Sequence, residues 1–466
     1  MARISSTVVP TNDLPVHRIE LPGTRALTIL VAFDAGARNE RPEENGMAHF
    51  LEHLVFKGGE KYSTYRDVNE TAERMGASLN AYTSHDLVAF HITARAEAAP
   101  QAIDLLTDFV GRPRIDAGEL DRERGVVIQE IARAHDQPSV LAENLIDEAA
   151  FGDHPLGRPV LGPEEHLRTF RREDVVAFRE RRWRHGRGGA FVVGNLSAVA
   201  GNGAIDELFA RFPGLTDPEP YDPAPPLAPR TRVERRDSKQ SHLRMSYRPS
   251  IDVSDLGQRA AMTIYATLLG GSMGSRLFDE IRERRGLAYS VYALDHAFAD
   301  VGVLQLSASL DSAKCIEAYQ RMREIVTELR EQGPKDAEVE RARAYAAGAR
   351  AIAFENTTAA EIEPWYHASV MADRDNRGEP VADESDPRNF FRNVLRQGLA
   401  PAMRIDQRVF RAFLRTFNLL TTPDALMRDG ELITRVLEVY NDRENRAPEP
   451  ELGPPTRKAF LSALSP

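Results

Sequence analysis

At 466 residues and 51.9 kDa the chain exceeds one ordinary domain and has the length for two or three substantial cores. A net charge of -10 and a pI near 5.7 exclude nucleic acid as the main partner, since a phosphate backbone needs a basic face. No apolar run reaches membrane-spanning length, Met1–Leu14 lacks the charged-then-apolar pattern of a signal peptide, and the single Cys315 can form no internal disulfide; a soluble, cytoplasmic protein without a membrane partner is expected.

Leu14–Leu21 and Ala26–Phe33 read as strands, the second richly apolar and closed by Asp34-Ala35-Gly36. Asn45-Gly46 then leads into Met47-Ala48-His49-Phe50-Leu51-Glu52-His53-Leu54-Val55-Phe56-Lys57-Gly58, whose apolar spacing is helical. In a helix, His49 and His53 lie one turn apart on one face with Glu52 beside them. Two imidazoles and a carboxylate so placed form a candidate zinc site. Neutral imidazoles are good ligands for that ion, and a carboxylate beside the metal but not bound to it can take a proton from water. The competing reading is a helix that carries two surface histidines and a glutamate. A catalytic zinc usually has three protein ligands, so a third is needed downstream.

Ser63–Val68 opens a second helix that runs to about Met75, with Ser63 or Thr64 as its cap and Gly76 as its stop. Ala77–Ser84 and Leu87–Thr93 alternate around a turn at His85-Asp86 and read as a hairpin. His85 and His91 in that hairpin are read as structural or solvated histidines rather than extra ligands. Helices follow over Ala96–Val110, Gly118–Ala134 and Val140–Ala150. The middle one carries Glu119-Leu120-Asp121-Arg122-Glu123-Arg124-Gly125-Val126-Val127-Ile128-Gln129-Glu130-Ile131, in which Glu123 and Glu130 share a side two turns apart.

The motif His49-Phe50-Leu51-Glu52-His53, followed after residues 54–129 by Glu130 in an ERGVVIQEI segment, resembles the inverted zinc motif of the family of pitrilysin, insulin-degrading enzyme and mitochondrial processing peptidase. The resemblance implies that His49, His53 and Glu130 bind one Zn2+ per chain. It also implies that Glu52 is the general base and that Glu123 supports the site from behind its ligands. Asn80-Ala81-Tyr82-Thr83 is similar to the family's edge strand, where substrate is held extended by adding a strand to the sheet, so Asn80 and Ala81 are implied to bind substrate. Without the resemblance, Asn80 would be a polar strand residue facing water.

Phe151-Gly152-Asp153-His154-Pro155-Leu156-Gly157-Arg158-Pro159 is a Gly/Pro-punctuated loop that resembles the family's HPLGRP stretch, which makes His154 a loop-shaping residue. A helix over Glu173–Trp183 leads to the apolar strand Ala190–Asn195. Trp183-Arg184-His185-Gly186-Arg187 departs from a tyrosine, proline and asparagine pattern common in the family, and no function is attached to the departure. Six prolines between Thr216 and Arg230 mark a stiff extended linker.

The second half repeats the first in outline. Thr231–Tyr247 is strand-like, Leu256–Leu269 is helical, and Gly270-Gly271-Ser272-Met273-Gly274-Ser275 leads into a helix over Arg276–Arg285. Strands Leu287–Ala293 and Gly302–Ser309 and helices from Ala313 and Asp336 complete the repeat, with the zinc residues absent. The Gly-rich loop lacks the lysine and the spacing of a phosphate-binding loop and is read as bringing the next helix close to the sheet. Arg282 and Tyr289 resemble the family's Arg/Tyr pair, in which the arginine holds substrate main chain and the tyrosine donates a hydrogen bond near the reacting carbonyl. The residue-level alternative is a solvated arginine and a core tyrosine. After Ala353 the resemblance fades; Val409–Phe417 and Glu431–Tyr440 read as amphipathic helices before a Pro/Glu-rich tail.

The expected fold class is α+β, with two homologous α/β-sandwich domains, each a mostly antiparallel sheet covered by helices. Expected boundaries are a zinc-binding domain over 1–215, a linker over 216–231, a second domain over 232–446 and a tail over 447–466. The resemblance implies a zinc-dependent endopeptidase that cleaves peptides or unfolded segments, held extended, inside a closed chamber. Relatives build that chamber from four such domains, so a chain with two is expected to pair as a homodimer or as a heterodimer with a related subunit. The alternatives are a narrow maturation protease working with a partner subunit and a non-catalytic scaffold subunit.

Overall fold

A computed structural model describes residues 3–353, apart from 22, 185–187, 200, 202, 216–221, 227–229 and 254. The helices expected over Val409–Phe417 and Glu431–Tyr440, the tail and much of the linker lie outside the described residues. In chain order the main elements of the first half are β1 (Arg3–Val8), β2 (Pro15–Glu20), β3 (Ala26–Phe33), α1 (Met47–Val55), α2 (Tyr65–Met75), β4 (Ser78–Thr83), β5 (Val88–Arg95), α3 (Ala99–Gly111), α4 (Ala117–His135), α5 (Pro138–Phe151), α6 (Glu164–Thr169), α7 (Arg172–Arg182) and β6 (Gly188–Gly194). The second half contributes β7 (Ser241–Tyr247), α8 (Leu256–Ala266), β8 (Ala288–Ala297), β9 (Gly302–Leu310), α9 (Cys315–Gln332) and α10 (Asp336–Ala353).

The chain forms two compact units. Among the described residues the first takes 3–133, 158–222 and 351–353, and the second takes 134–157 and 223–350. In the first, six strands run in the order β1-β2-β6-β3-β5-β4, and only β2 and β6 are parallel. In the second, the order is β7-β9-β8, all antiparallel. The path strand, helices, hairpin is the same in both: β3 leads through α1 and α2 to β4-β5, and β7 leads through α8 to β8-β9. The fold is therefore α+β with a repeated unit, as the sequence implies.

β3 is the centre of the first sheet because it is apolar on both faces. Leu27, Ile29, Val31 and Phe33 enter the main core with Phe50, Phe90 and Phe109, whereas Leu30 and Ala32 join Phe191 and Val193 on the other face. Period-two alternation sends successive side chains to opposite faces, so a strand buried on both is apolar almost throughout; the buried Thr28 is paired with the Thr93 hydroxyl at 2.9 Å. Each fully buried Leu, Ile, Val or Phe contributes about 1.5–3 kcal/mol relative to exposure.

His17 on β2 stacks on Phe191 at 4.9 Å, and burial pushes its imidazole down to about 4. An unfolded histidine titrates near 6.5, so the unfolded chain binds the extra proton first: this contribution is complete above about pH 6.5 and is lost as pH falls towards 4. The Tm of His17→Phe is expected to fall less steeply than that of the wild type between those values, and parallel slopes would remove His17 from the account.

In the second unit, α8 continues into a wider turn over Thr267–Gly271, and a second such turn spans Phe278–Arg284. A Cβ on Gly270 would stand 2.3 Å from the Ala293 amide nitrogen, so the helix end approaches β8 more closely than any side chain permits. The close approach is made by the end of the helix before the Gly-rich loop and not, as expected from the sequence, by the helix after it. The strand expected over Thr231–Tyr247 begins only at Ser241. Arg232, Glu234, Arg235, Arg236, Asp237 and Lys239 are exposed, so no apolar face ties that stretch to a sheet.

α5 precedes the linker yet packs within the second unit. Phe151 meets Phe298 edge to face at 5.6 Å, Gln305 Nε2 donates to Asp147 Oδ1 at 3.1 Å, and Arg248 Nη1 donates to Ala150 O at 3.3 Å. The first domain expected over 1–215 includes this helix, whereas the compact units place it in the second. No helix among the described residues is long and apolar enough to cross a membrane.

Candidate metal centre

α1 is buried over almost its whole length: Met47, Ala48, His49, Phe50, Leu51, Leu54 and Val55 are all below a tenth exposed, and Glu52 and His53 look out from the one remaining face. Gly46 starts it in the left-handed region at φ +100°, and Gly58 at φ +129° turns the chain away after it. α2 is capped by Thr64, whose hydroxyl accepts from the Asp67 amide at 3.1 Å while the Asp67 carboxylate accepts from the Thr64 amide at 3.0 Å. That choice, left open between Ser63 and Thr64, falls on Thr64.

On α4, Glu123, Val127 and Ile131 face the core, and Glu130 lies on the edge of the same stripe. The two helices bring His49 Nε2 to 3.6 Å and His53 Nε2 to 3.4 Å from the same oxygen, Glu130 Oε2. One ligand atom from each residue falls within 4.8 Å of the others, the one such cluster of His, Cys, Asp and Glu among the described residues. Ligands about 2.0–2.2 Å from a tetrahedral zinc ion stand about 3.3–3.5 Å from one another. The two nitrogen–oxygen distances to Glu130 have that size.

Behind it, His53 Nδ1 lies 3.2 Å from Glu123 Oε2, and Lys57 Nζ pairs with the other Glu123 oxygen. A proton on Nδ1, donated to Glu123, leaves Nε2 with its lone pair towards Glu130. His49 Nδ1 is buried without a hydrogen-bond partner among the described residues. Burial, aided by His53, pushes His49 down to about 3, so it stays neutral, as a metal ligand must. For His53 burial acts downward, but the Glu123 hydrogen bond and the charges of Glu52, Glu130 and Glu123 outweigh it and raise the pKa. Glu123 goes the other way: burial is outweighed by His53 and Lys57, and its carboxyl is held low. The donor set and its spacing suit a divalent zinc ion.

Glu52 sits one residue before His53, outside the converging triad. Burial raises its pKa against the hydrogen bond from Thr83, whose hydroxyl donates to Glu52 Oε2 at 2.6 Å. Thr83 ends β4, an edge strand that pairs only with β5 among the described residues. Asn80 and Ala81 lie on that strand; Asn80 is exposed and accepts from the Ala81 amide at 2.9 Å. His85 and His91 stand apart from the triad: His85 Nε2 lies 3.0 Å from Arg158 O, and His91 is on β5 opposite Asn80. His154 Nδ1 accepts from the Leu156 amide at 3.2 Å and shapes its loop.

In the second unit the Arg282 guanidinium lies over the Tyr289 ring at 5.1 Å and over Phe278 at 4.6 Å. Tyr289 is 79% exposed, so it is no core tyrosine. Sequence reasoning passed over Thr83 as a partner of Glu52, Lys57 as a partner of Glu123, and Trp183 as a core residue. The first two carry no local signal, since each acts on a residue far along the chain.

Comparison with known proteins follows the same two parts. The profile of the insulinase family of M16 peptidases matches residues 16–164, and that of the M16 peptidase inactive domain matches residues 169–345. The chain belongs to the M16 peptidase family. M16 relatives include proteins called uncharacterized zinc proteases in Streptomyces coelicolor, 33% identical over 353 residues that cover 73% of this chain and 75% of the relative, and in Mycobacterium leprae, 32% identical over 367 residues that cover 76% and 80%. Solved structures share the M16 fold at low identity. An M16 inactive domain from Pseudomonas fluorescens superposes with a TM-score of 0.74 at 18% identity, covering 89% of this chain and 95% of the other. A protease from Helicobacter pylori gives 0.69 at 18%, covering 90% and 96%, and a chain of complex III2 from Candida albicans gives 0.67 at 13%, covering 89% and 93%.

Proposed function

We propose that this M16 protein is a zinc-dependent endopeptidase acting on peptides or unfolded segments held in extended form. The observation that carries the proposal is the convergence of His49 Nε2, His53 Nε2 and Glu130 Oε2 at 3.4–3.6 Å, with the Glu52 carboxylate beside them. A zinc ion held by these three residues supplies Lewis acidity, lowering the pKa of water and polarising a carbonyl.

The chain's own groups do the rest. Glu52 takes the proton of the attacking water and later hands it to the leaving amine. The Thr83 hydroxyl holds Glu52 in position, and Glu123 holds His53 in the tautomer that presents Nε2. Substrate main chain adds to the open edge of β4 at Asn80 and Ala81, which binds many sequences without reading each side chain. The resemblance assigns Arg282 to hold substrate main chain and Tyr289 to donate a hydrogen bond to the reacting carbonyl; their exposure side by side supports that role. It also supports closure of a chamber by pairing with a second copy or a related subunit.

A scaffold role is disfavoured because all four motif residues are present and assembled. The test is zinc content and cleavage of a mixed unfolded-peptide library by the purified full chain, with mass by light scattering. One zinc per chain with cleavage is expected; a metal-free protein that cleaves nothing would overturn the reading. Thr83→Val removes one hydrogen bond to a charged group, so kcat is expected to fall about ten- to hundredfold with zinc content unchanged. Equal kcat in this variant would show that Glu52 needs no such support.

A further inference from the structure

His49 is the third residue of α1, so its place depends on how the first turn of that helix is held. A helix start leaves its first amides without intrahelical partners, and a side chain usually accepts from them. Gly46, at the capping position, has no side chain to do so. The acceptor comes from six residues earlier. Glu40 is 4% exposed; its Oε1 accepts from the Ala48 amide at 2.7 Å, and its Oε2 accepts from the Gly46 amide at 3.0 Å and from Asn45 Nδ2 at 3.0 Å. Both carboxyl oxygens are thus committed to the start of one helix.

The same corner is braced from another direction. Asn45 Nδ2 also donates to Pro159 O at 3.1 Å, and a Cβ on Gly162 would stand 2.3 Å from Asn45 O. With the amides of Gly46 and Ala48 pinned, the backbone entering His49 has no freedom to fray. His53 is a full turn further on and has its own brace in Glu123. His49 has no equivalent: its Nδ1 lacks a hydrogen-bond partner among the described residues, so no side chain orients its ring from behind.

We infer that Glu40 is a positioning residue for the metal centre: through the amides of Gly46 and Ala48 it fixes the first turn of α1 and holds His49 in ligand position, the part Glu123 plays for His53. The inference rests on His49, His53 and Glu130 being zinc ligands. It makes Glu40 different from Glu43 and Glu44, the neighbouring glutamates in Glu40-Arg41-Pro42-Glu43-Glu44, of which Glu44 pairs with Arg181 at 2.7 Å.

The test is zinc affinity of the full chain by chelator competition, together with the absorption spectrum of the cobalt(II)-substituted protein, for wild type, Glu40→Gln and Asn45→Ala. Glu40→Gln sets an NH2 group against an amide donor; affinity is expected to fall about ten- to a hundredfold, as for other supports behind metal ligands, and the cobalt spectrum to change as His49 loosens. Asn45→Ala leaves the carboxylate and both amides in place, so a smaller loss, of a few-fold, is expected, and it serves as the readout should Glu40→Gln fail to fold. Asn12→Ala is the stability control, because the Asn12 side chain bonds Leu14, Phe209 and Phe212 in the same unit and none of α1. Its Tm is expected to fall with zinc affinity unchanged. Equal zinc affinity in wild type, Glu40→Gln and Asn45→Ala would overturn the inference alone, as would an equal loss in Asn12→Ala. A wild type that binds no zinc would overturn the ligand assignment and this inference with it.

Discussion

Glu52→Gln is expected to lower peptide cleavage by about 10³-fold or more while zinc stays bound. A positioned acid–base group contributes about 10²–10⁴ to the rate, and in the proposed mechanism one carboxylate serves both the attack and the departure of the amine. The substitution is nearly isosteric, and the amide oxygen can still accept from Thr83, so the local packing of α1 is kept. The proposed ligand atoms belong to His49, His53 and Glu130, which the change does not touch. Metal analysis and single-turnover cleavage of a labelled peptide would decide it. Cleavage within tenfold of wild type would remove Glu52 from the mechanism, and loss of zinc would move it into the ligand set.

Trp183→Ala is expected to have the largest effect on stability. Trp183 is 1% exposed, lies parallel to Phe33 at 4.5 Å, meets Phe90 at 5.6 Å and carries the Arg179 guanidinium over its ring at 4.8 Å. Truncation of a buried aromatic of this kind costs about 3–5 kcal/mol, because transfer energy and a cavity add. For a unit of this size the Tm should drop by about 10 °C or more. Trp183→Phe keeps most of the stacking and should lose about a third as much. A drop of only a few degrees in Trp183→Ala would mean that Phe33 and Phe90 close the gap by themselves.

Trp183 itself thus has a structural role: the indole follows α7 and packs on Phe33 and Phe90, carried by the paired strands β3 and β5, whereas residues 185–187 of that stretch lie outside the described residues. Sequence inspection finds the departure but not its partner, since Phe33 and Phe90 are far away along the chain. Thr83 and Glu52 show the same limit, as do Glu40 and the amides of Gly46 and Ala48. β1 is a further case. Arg-Ile-Ser-Ser-Thr-Val carries little apolar signal, and it is a strand because every residue from Arg3 to Val8 is in register with β2.

Local chemistry determined much of the rest. Apolar patterning marked β3, α1 and α4; Ser63 or Thr64 and Gly76 bounded α2; and four-residue and seven-residue spacings put His49 with His53 and Glu123 with Glu130 on common helix faces. Those are short-range properties, set by backbone geometry within a few residues. Tertiary structure decided whatever depends on two distant segments meeting: the 3.4–3.6 Å cradle between α1 and α4, the donation from Thr83 to Glu52, and the place of α5 in the second unit. A helix face is a consequence of 3.6 residues per turn. Which face meets which is decided by the burial of the whole core, and no window of sequence contains that.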